Sequence, residues 1–199
     1  YLNKEEIKIL TDSLSEKELT ARKYGRFTSG SGPVYPEFDE NVHVIEPFTV
    51  PYEWQDTLSI DPGLKNPLSC HWYAVDFDGN VYVTEEHFAA GLSVEEHAEI
   101  IKQKSDKIGW RRDMNGKISA LIDSAANQRT LASAKSVSEL FFDYGINVNA
   151  NVNKDLFSGI NRVKSYFKNN KIFIFKNCVN LISELKDRKS TRLNSSHLG

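Results

Sequence analysis

Two carboxylates stand where they could do chemistry. In Leu58-Ser59-Ile60-Asp61-Pro62-Gly63, an apolar run ends in an aspartate and a Pro-Gly pair stops it. A residue ahead of proline is pushed to extended backbone, so Asp61 is expected to be the last residue of a strand. Gly63 then lets the chain turn away at once. Lys117-Ile118-Ser119-Ala120-Leu121-Ile122-Asp123 repeats the pattern and is followed by Ser124-Ala125-Ala126. Two carboxylates held close repel each other unless a cation lies between them. Hard divalent cations take oxygen ligands, and Mg²⁺ typically uses one or two carboxylates with waters and phosphate oxygens. A pair of such ions about 3.5–4 Å apart activates a water and stabilises the leaving oxygen of a phosphodiester. If the fold brings the two strand ends together, Asp61 and Asp123 are candidate metal ligands and catalytic residues of a site that uses Mg²⁺ or Mn²⁺ to cleave phosphodiesters. Singly, each motif has a plainer reading: a turn residue before Pro-Gly, or a helix cap before Ser-Ala-Ala. It is their joint occurrence that favours function.

Other chemistry-bearing residues have weaker claims. Asp76 and Asp78 flank a hairpin turn signal and read as turn residues. Glu85 and Glu86 fall on a strand, where an exposed role is expected. His43, His71, His87 and His97 show no zinc-type spacing and read as packing or surface residues. No phosphate-binding G-x-x-x-x-G-K-[ST] loop occurs. Between Asn151 and Lys176, Lys154, Arg162, Lys164, Lys168, Lys171 and Lys176 face only Asp155. Such a run is either a solvated face or a phosphate-binding one. Lys154, Arg162, Lys164 and Lys168 are its candidate DNA contacts, with Lys65 and Arg129 as secondary candidates beside the two aspartate motifs.

The elements that must position these residues follow from patterning. Residues 4–24 read as a helix with Ile7, Leu10, Leu14 and Leu19 on one stripe, which needs another surface to pack on. Residues 25–36, around Gly30-Ser31-Gly32-Pro33, read as a linker. Residues 42–50 are extended and interrupted by Pro47, an edge or a surface loop. Strands are expected at 57–61, 69–77 and 80–88, an antiparallel meander with Asp78-Gly79 at its second turn. Ser93 and Glu96 form a capping box opening a helix. A charged loop leads to a strand at 118–123, and a helix over 127–144 carries Leu131, Ala134, Val137 and Phe141 before Gly145. A strand at 146–150 follows, then a helix over 155–168, a short strand or extended piece at 171–175, and a last helix with Val179, Ile182 and Leu185 inward.

The totals bound the class. At 199 residues, with 40% hydrophobic and 26% charged residues, the chain is one soluble-type globular domain with appendages. No apolar run approaches the ~20 residues of a membrane span. With no secretory signal visible, the cytoplasm is the expected compartment. Cys70 and Cys178 lie far apart and read as buried thiols. The formal charge of −2 does not by itself announce a nucleic-acid binder. The chain begins at Tyr1, which points to a piece of something longer.

Three strands, helix, strand, helix, strand, helix is the element order of the ribonuclease H-like fold. That resemblance implies an α/β domain with a mixed five-stranded sheet flanked by helices. Its first three strands are antiparallel, and its fourth and fifth run parallel to the first, so Asp61 and Asp123 would be neighbours. A second resemblance rests on the motifs themselves. Tyr24-Gly25-Arg26-Phe27, Gly32 to Asp39, His43-Val44-Ile45 with Pro47-Phe48, Ser59 to Gly63, Leu121-Ile122-Asp123, and Asn153 to Ile160 with Cys178 to Leu185 are together similar to the C-terminal nuclease region of large terminase subunits of tailed bacteriophages. This covers most of residues 20–188. It implies a two-metal endonuclease that cuts concatemeric phage DNA during packaging in the host cytoplasm. Double-stranded DNA, a small terminase subunit and a portal would be its partners, and oligomerisation would belong to the full motor. It also implies that residues 1–50 are helix and linker from a preceding ATPase domain and that 51–188 are the nuclease domain. The family's further acidic motif, on a C-terminal helix, has no match here; Asp187 is the last acid. Residues 189–199 resemble translated adaptor sequence and are expected to be non-native, with a genuine polar tail as the alternative. A non-catalytic DNA-binding or assembly module of the same fold, an actin-like ATPase fragment and a junction-resolving nuclease are the competing readings.

Overall fold

The computed structural model describes residues 33–63, 66–127, 135–152 and 155–187. Residues 37–186 form one compact unit. In chain order its elements are α1 (Glu40–His43), β1 (Val44–Ile45), β2 (Gln55–Asp61), β3 (Leu68–Val75), β4 (Val81–Ala89), α2 (Val94–Lys107), β5 (Ile118–Ile122), a 3₁₀ turn (Ser124–Asn127), α3 (Val137–Asp143), β6 (Ile146–Asn149), α4 (Leu156–Lys168), β7 (Ile172–Phe175) and α5 (Val179–Asp187). No helix among the described residues is long and apolar enough to cross a membrane.

All seven strands join one sheet in the order β1-β7-β4-β3-β2-β5-β6. β2, β3 and β4 form the expected antiparallel meander, and β5 and β6 add in parallel beside β2. The sheet has two strands more than expected. β7 pairs in parallel with β4 and with β1. β1 is only two residues long, too short to show a period of two. It exists because β7 offers an edge at Ile174 and Phe175. The 4–24 helix, most of the linker and the 188–199 tail lie outside the described residues.

Alternation decides which side of each strand is buried. Leu58 and Ile60 on β2, Cys70 and Trp72 on β3, and Ile118, Ala120 and Ile122 on β5 all point into one core. Ala98 and Ile101 of α2 and Phe141 of α3 pack onto that face. Trp72 is fully buried, and its indole N–H donates to Ser105 Oγ on α2 at 2.9 Å, which satisfies its one polar atom. The capping box at α2 forms as expected: Ser93 Oγ accepts from Glu96 N, while the Glu96 carboxylate accepts from Ser93 N. The next helix begins later than expected. Ser136 and Glu139 make a second capping box, so α3 starts at Val137. Asp123 leads instead into a short 3₁₀ turn, and Leu131 and Ala134 lie outside the described residues. On α5, Ile182 and Leu185 are buried as expected, but Val179 in its first turn is 61% exposed.

Glu86 departs most from expectation. It is buried, and its carboxylate accepts from Asn180 N at 2.8 Å, Asn180 Nδ2 at 2.9 Å and Leu181 N at 3.0 Å, at the start of α5. A helix N-terminus presents unpaired donors and a partial positive charge, which makes it a suitable partner for a buried carboxylate. Both cysteines are free and buried. Burial first, then Glu86 and Glu85, push the Cys178 thiol up to about 12. His87 and His97 are also buried, with Nε2 of one 2.9 Å from Nδ1 of the other.

Two outcomes are expected. Glu86→Ala strands the donors at the start of α5 and should cost roughly 2–4 kcal/mol in urea unfolding. A loss below about 0.5 kcal/mol, the range of ordinary surface changes, would show the carboxylate is dispensable. The second concerns acid. Burial, then His97 and Lys104, push His87 down to about 4, and burial lowers His97 as well. The unfolded chain, with histidines near 6.5, then binds more protons than the folded one. No penalty exists above about 6.5, and one grows as pH falls toward 4. His87→Gln should flatten the fall in urea midpoint across that window. An unchanged slope would mean that other groups set the acid sensitivity.

Candidate functional site

Asp61 is the last residue of β2, and Asp123 directly follows β5. The two strands run parallel, with Leu58 opposite Ala120, Ser59 opposite Leu121 and Ile60 opposite Ile122. One step further along this register sets Asp61 beside Asp123, on strands about 4.8 Å apart. Both aspartates are exposed, in contrast to the buried Ile60 and Ile122 that precede them. They face an open groove lined by Ser59, Ile60, Asp61, Leu121, Ile122, Asp123 and Val152.

Each carboxylate is steadied by its own turn. Asp61 Oδ1 accepts from Gly63 N at 3.1 Å, and Asp123 Oδ1 accepts from Ala125 N at 2.7 Å. Gly63 has φ +52°, and a Cβ there would meet Pro67 O at 2.3 Å, so only glycine fits this turn. The turn reading of Asp61 and the cap reading of Asp123, here at a 3₁₀ turn, thus hold together with their juxtaposition. The site's donors are carboxylate oxygens, the set that suits a hard divalent cation. Among the described residues, no group of three His, Cys, Asp or Glu side chains is gathered to hold a metal.

None of the described basic candidates is among the residues that line the groove. Val152, four residues before α4 begins, lines the groove. Arg162 and Lys168 are exposed on α4, and Lys164 is half-buried. Lys65, Arg129 and Lys154 lie outside the described residues.

Sequence reasoning read His71 as a packing or surface residue. It stands opposite Ser59 in the β2–β3 ladder, and its Nε2 is 3.9 Å from Glu86 Oε2. Desolvation lowers its pKa, against the raising influence of Glu86 and Glu184. Alternation along 69–77 was the available signal, since it sets His71 on the face that carries Ser59. Asp76 does act in the turn, accepting from Asp78 N at 2.9 Å and Asn80 N at 2.8 Å.

No protein-family model and no curated protein matches the chain. Solved structures do. The nuclease domain of the P22 large terminase superposes with a TM-score of 0.65 at 16% identity, over 79% of each chain. The large terminase of the thermophilic bacteriophage D6E gives 0.60 at 22% identity, over 88% of this chain and 45% of that one. The magnesium-bound large terminase nuclease of the thermophilic phage G20c gives 0.52 at 10% identity, over 79% and 81%. The sheet order, the parallel β2–β5 pair and these superpositions give the chain the ribonuclease H-like fold of large terminase nuclease domains.

Proposed function

We propose that this chain is the nuclease part of a large terminase, a divalent-metal-dependent endonuclease that cuts concatemeric viral DNA during genome packaging. The observation that carries the reading is the pair Asp61 and Asp123 at the ends of adjacent parallel strands, facing one groove, in a fold shared with terminase nuclease domains. Asp61 and Asp123 would hold Mg²⁺ or Mn²⁺ through their carboxylate oxygens; the G20c relative binds magnesium. When bound, such an ion supplies a nucleophilic water at neutral pH and stabilises charge on the phosphodiester oxygens.

The chain's own part is positional. Pro62 and Gly63 fix where β2 ends, Ala125 N orients Asp123, and the buried Ile60 and Ile122 hold both carboxylates in register. Two carboxylates suit one ion. A second ion would need a further acid, which the family resemblance draws from a C-terminal helix. In this reading residues 51–188 are the nuclease domain, 1–50 connect it to an ATPase domain, and 189–199 are non-native. The DNA backbone would contact Lys154, Arg162, Lys164 and Lys168, with Lys65 and Arg129 as secondary contacts. A small terminase subunit and a portal would complete the motor in the host cytoplasm.

Asp61→Asn and Asp123→Asn should each abolish Mn²⁺-dependent nicking of supercoiled plasmid while leaving the circular dichroism spectrum unchanged. Nicking retained by Asp61→Asn would remove that residue from the site. For the grip on DNA, each phosphate contact contributes ~0.9 to the slope of log K against log salt. The double variant Lys164→Ala, Lys168→Ala should therefore lower the slope by about 1.8. An unaltered slope would identify this part of α4 as a solvated face.

A further inference from the structure

The face of the sheet that carries Asp61 also carries Phe88. In the antiparallel ladders Asp61 stands opposite Ser69, and Ser69 stands opposite Phe88. Directly paired residues share a face of the sheet. Burial agrees with this. Ser69 lies between the core residues Leu68 and Cys70, and Phe88 follows the buried His87. Asp61, Ser69 and Phe88 therefore form one row across β2, β3 and β4, with Asp123 on the other side of Asp61. At about 4.8 Å per strand, Phe88 stands roughly 10 Å from Asp61 along that row.

Phe88 is 39% exposed. Glu86, two residues earlier on the same strand, is buried against the first turn of α5. The ring of Phe88 is also solitary. Other aromatic residues of the sheet and its flanks stack in sets: Trp54 on Tyr82, Tyr82 on Phe173, Phe48 against Phe175, and Phe38 against Phe167. No ring among the described residues contacts Phe88. An exposed, unstacked ring has the chemistry of a platform for a nucleobase. Every base has a π-face, and removing one base–aromatic contact weakens binding about 5- to 150-fold. Inside a duplex each base face is already covered by its neighbours, so a side chain stacks only where the strand is unpaired. A stacked strand advances ~3.4 Å per nucleotide, which sets Phe88 about three nucleotides from a phosphate at the aspartates, fewer in a stretched strand.

We propose that Phe88 is a DNA-binding residue that stacks on an unpaired base of the strand whose phosphate lies at Asp61 and Asp123. The substrate of this site is then DNA opened near the cut. The proposal rests on the nuclease reading for the position of that phosphate, whereas the contact at Phe88 is measured by binding alone.

Fluorescence anisotropy of a labelled single-stranded oligonucleotide and of its duplex, in Ca²⁺ and with the strand checked to be uncut, tests it. Phe88→Ala should weaken single-strand binding about 5- to 150-fold and leave duplex binding unchanged, and Phe88→Trp should restore it. Phe77→Ala is the control: Phe77 is 82% exposed but lies beyond the far end of β3, and its loss should change neither affinity. Quenching of 2-aminopurine placed in the strand should disappear in Phe88→Ala and persist in Phe88→Trp, which a merely structural role would not produce. As an exposed position, Phe88 should tolerate both changes with little shift in urea midpoint. Equal single-strand affinity in wild type and Phe88→Ala, an equal loss on the duplex, an equal loss in Phe77→Ala, or failure of Phe88→Trp to bind would each overturn the proposal. Failure of the nuclease reading would show separately, as nicking retained by Asp61→Asn.

Discussion

The parallel ladder between β2 and β5 is the constraint on which the groove depends. Parallel strands end at the same edge of a sheet, so two motifs some sixty residues apart deliver their aspartates to one place. The ladder is held in register by its last pair, Ile60 and Ile122, each 2% exposed and part of the same core. A one-residue slip would turn every side chain to the opposite face and drive an aspartate into that core. The apolar packing of α2 and α3 on the sheet thus sets the position of two exposed carboxylates.

Local turn chemistry then refines what the ladder places. Each aspartate uses one oxygen to accept a backbone N–H two residues on, from Gly63 or from Ala125. That contact orients the carboxylate without closing the groove, since both residues remain exposed. At Gly63 the backbone passes so near Pro67 that no side chain is tolerated. The turn after Asp61 is accordingly the more constrained of the two.

Away from the groove, the sheet buries polar groups in specific pairs. Glu86 is matched to the start of α5, His87 to His97, and Trp72 to Ser105. A buried polar atom without a partner costs more than its hydrogen bond returns, so each pair fixes one helix against one strand.

The sequence by itself determined what is local. Pro62 and Gly63 mark the end of β2, Ser93 and Glu96 mark the start of α2, and alternation through 57–61 and 118–123 separates core from groove face. These signals work because each acts over a few residues of backbone. The Ser136–Glu139 box was legible by the same rule, and a helical stripe read through Leu131 and Ala134 obscured it. Tertiary structure alone decided the rest. β1 has two residues and exists through its pairing with β7, some 130 positions away. Glu86 reads as an exposed strand acid until α5, 94 residues later, supplies its donors. His97 looks like one more helix residue until β4 brings His87 to it. Burial and hydrogen bonding are pairwise properties, and partners so distant in the chain leave no periodic trace around either residue.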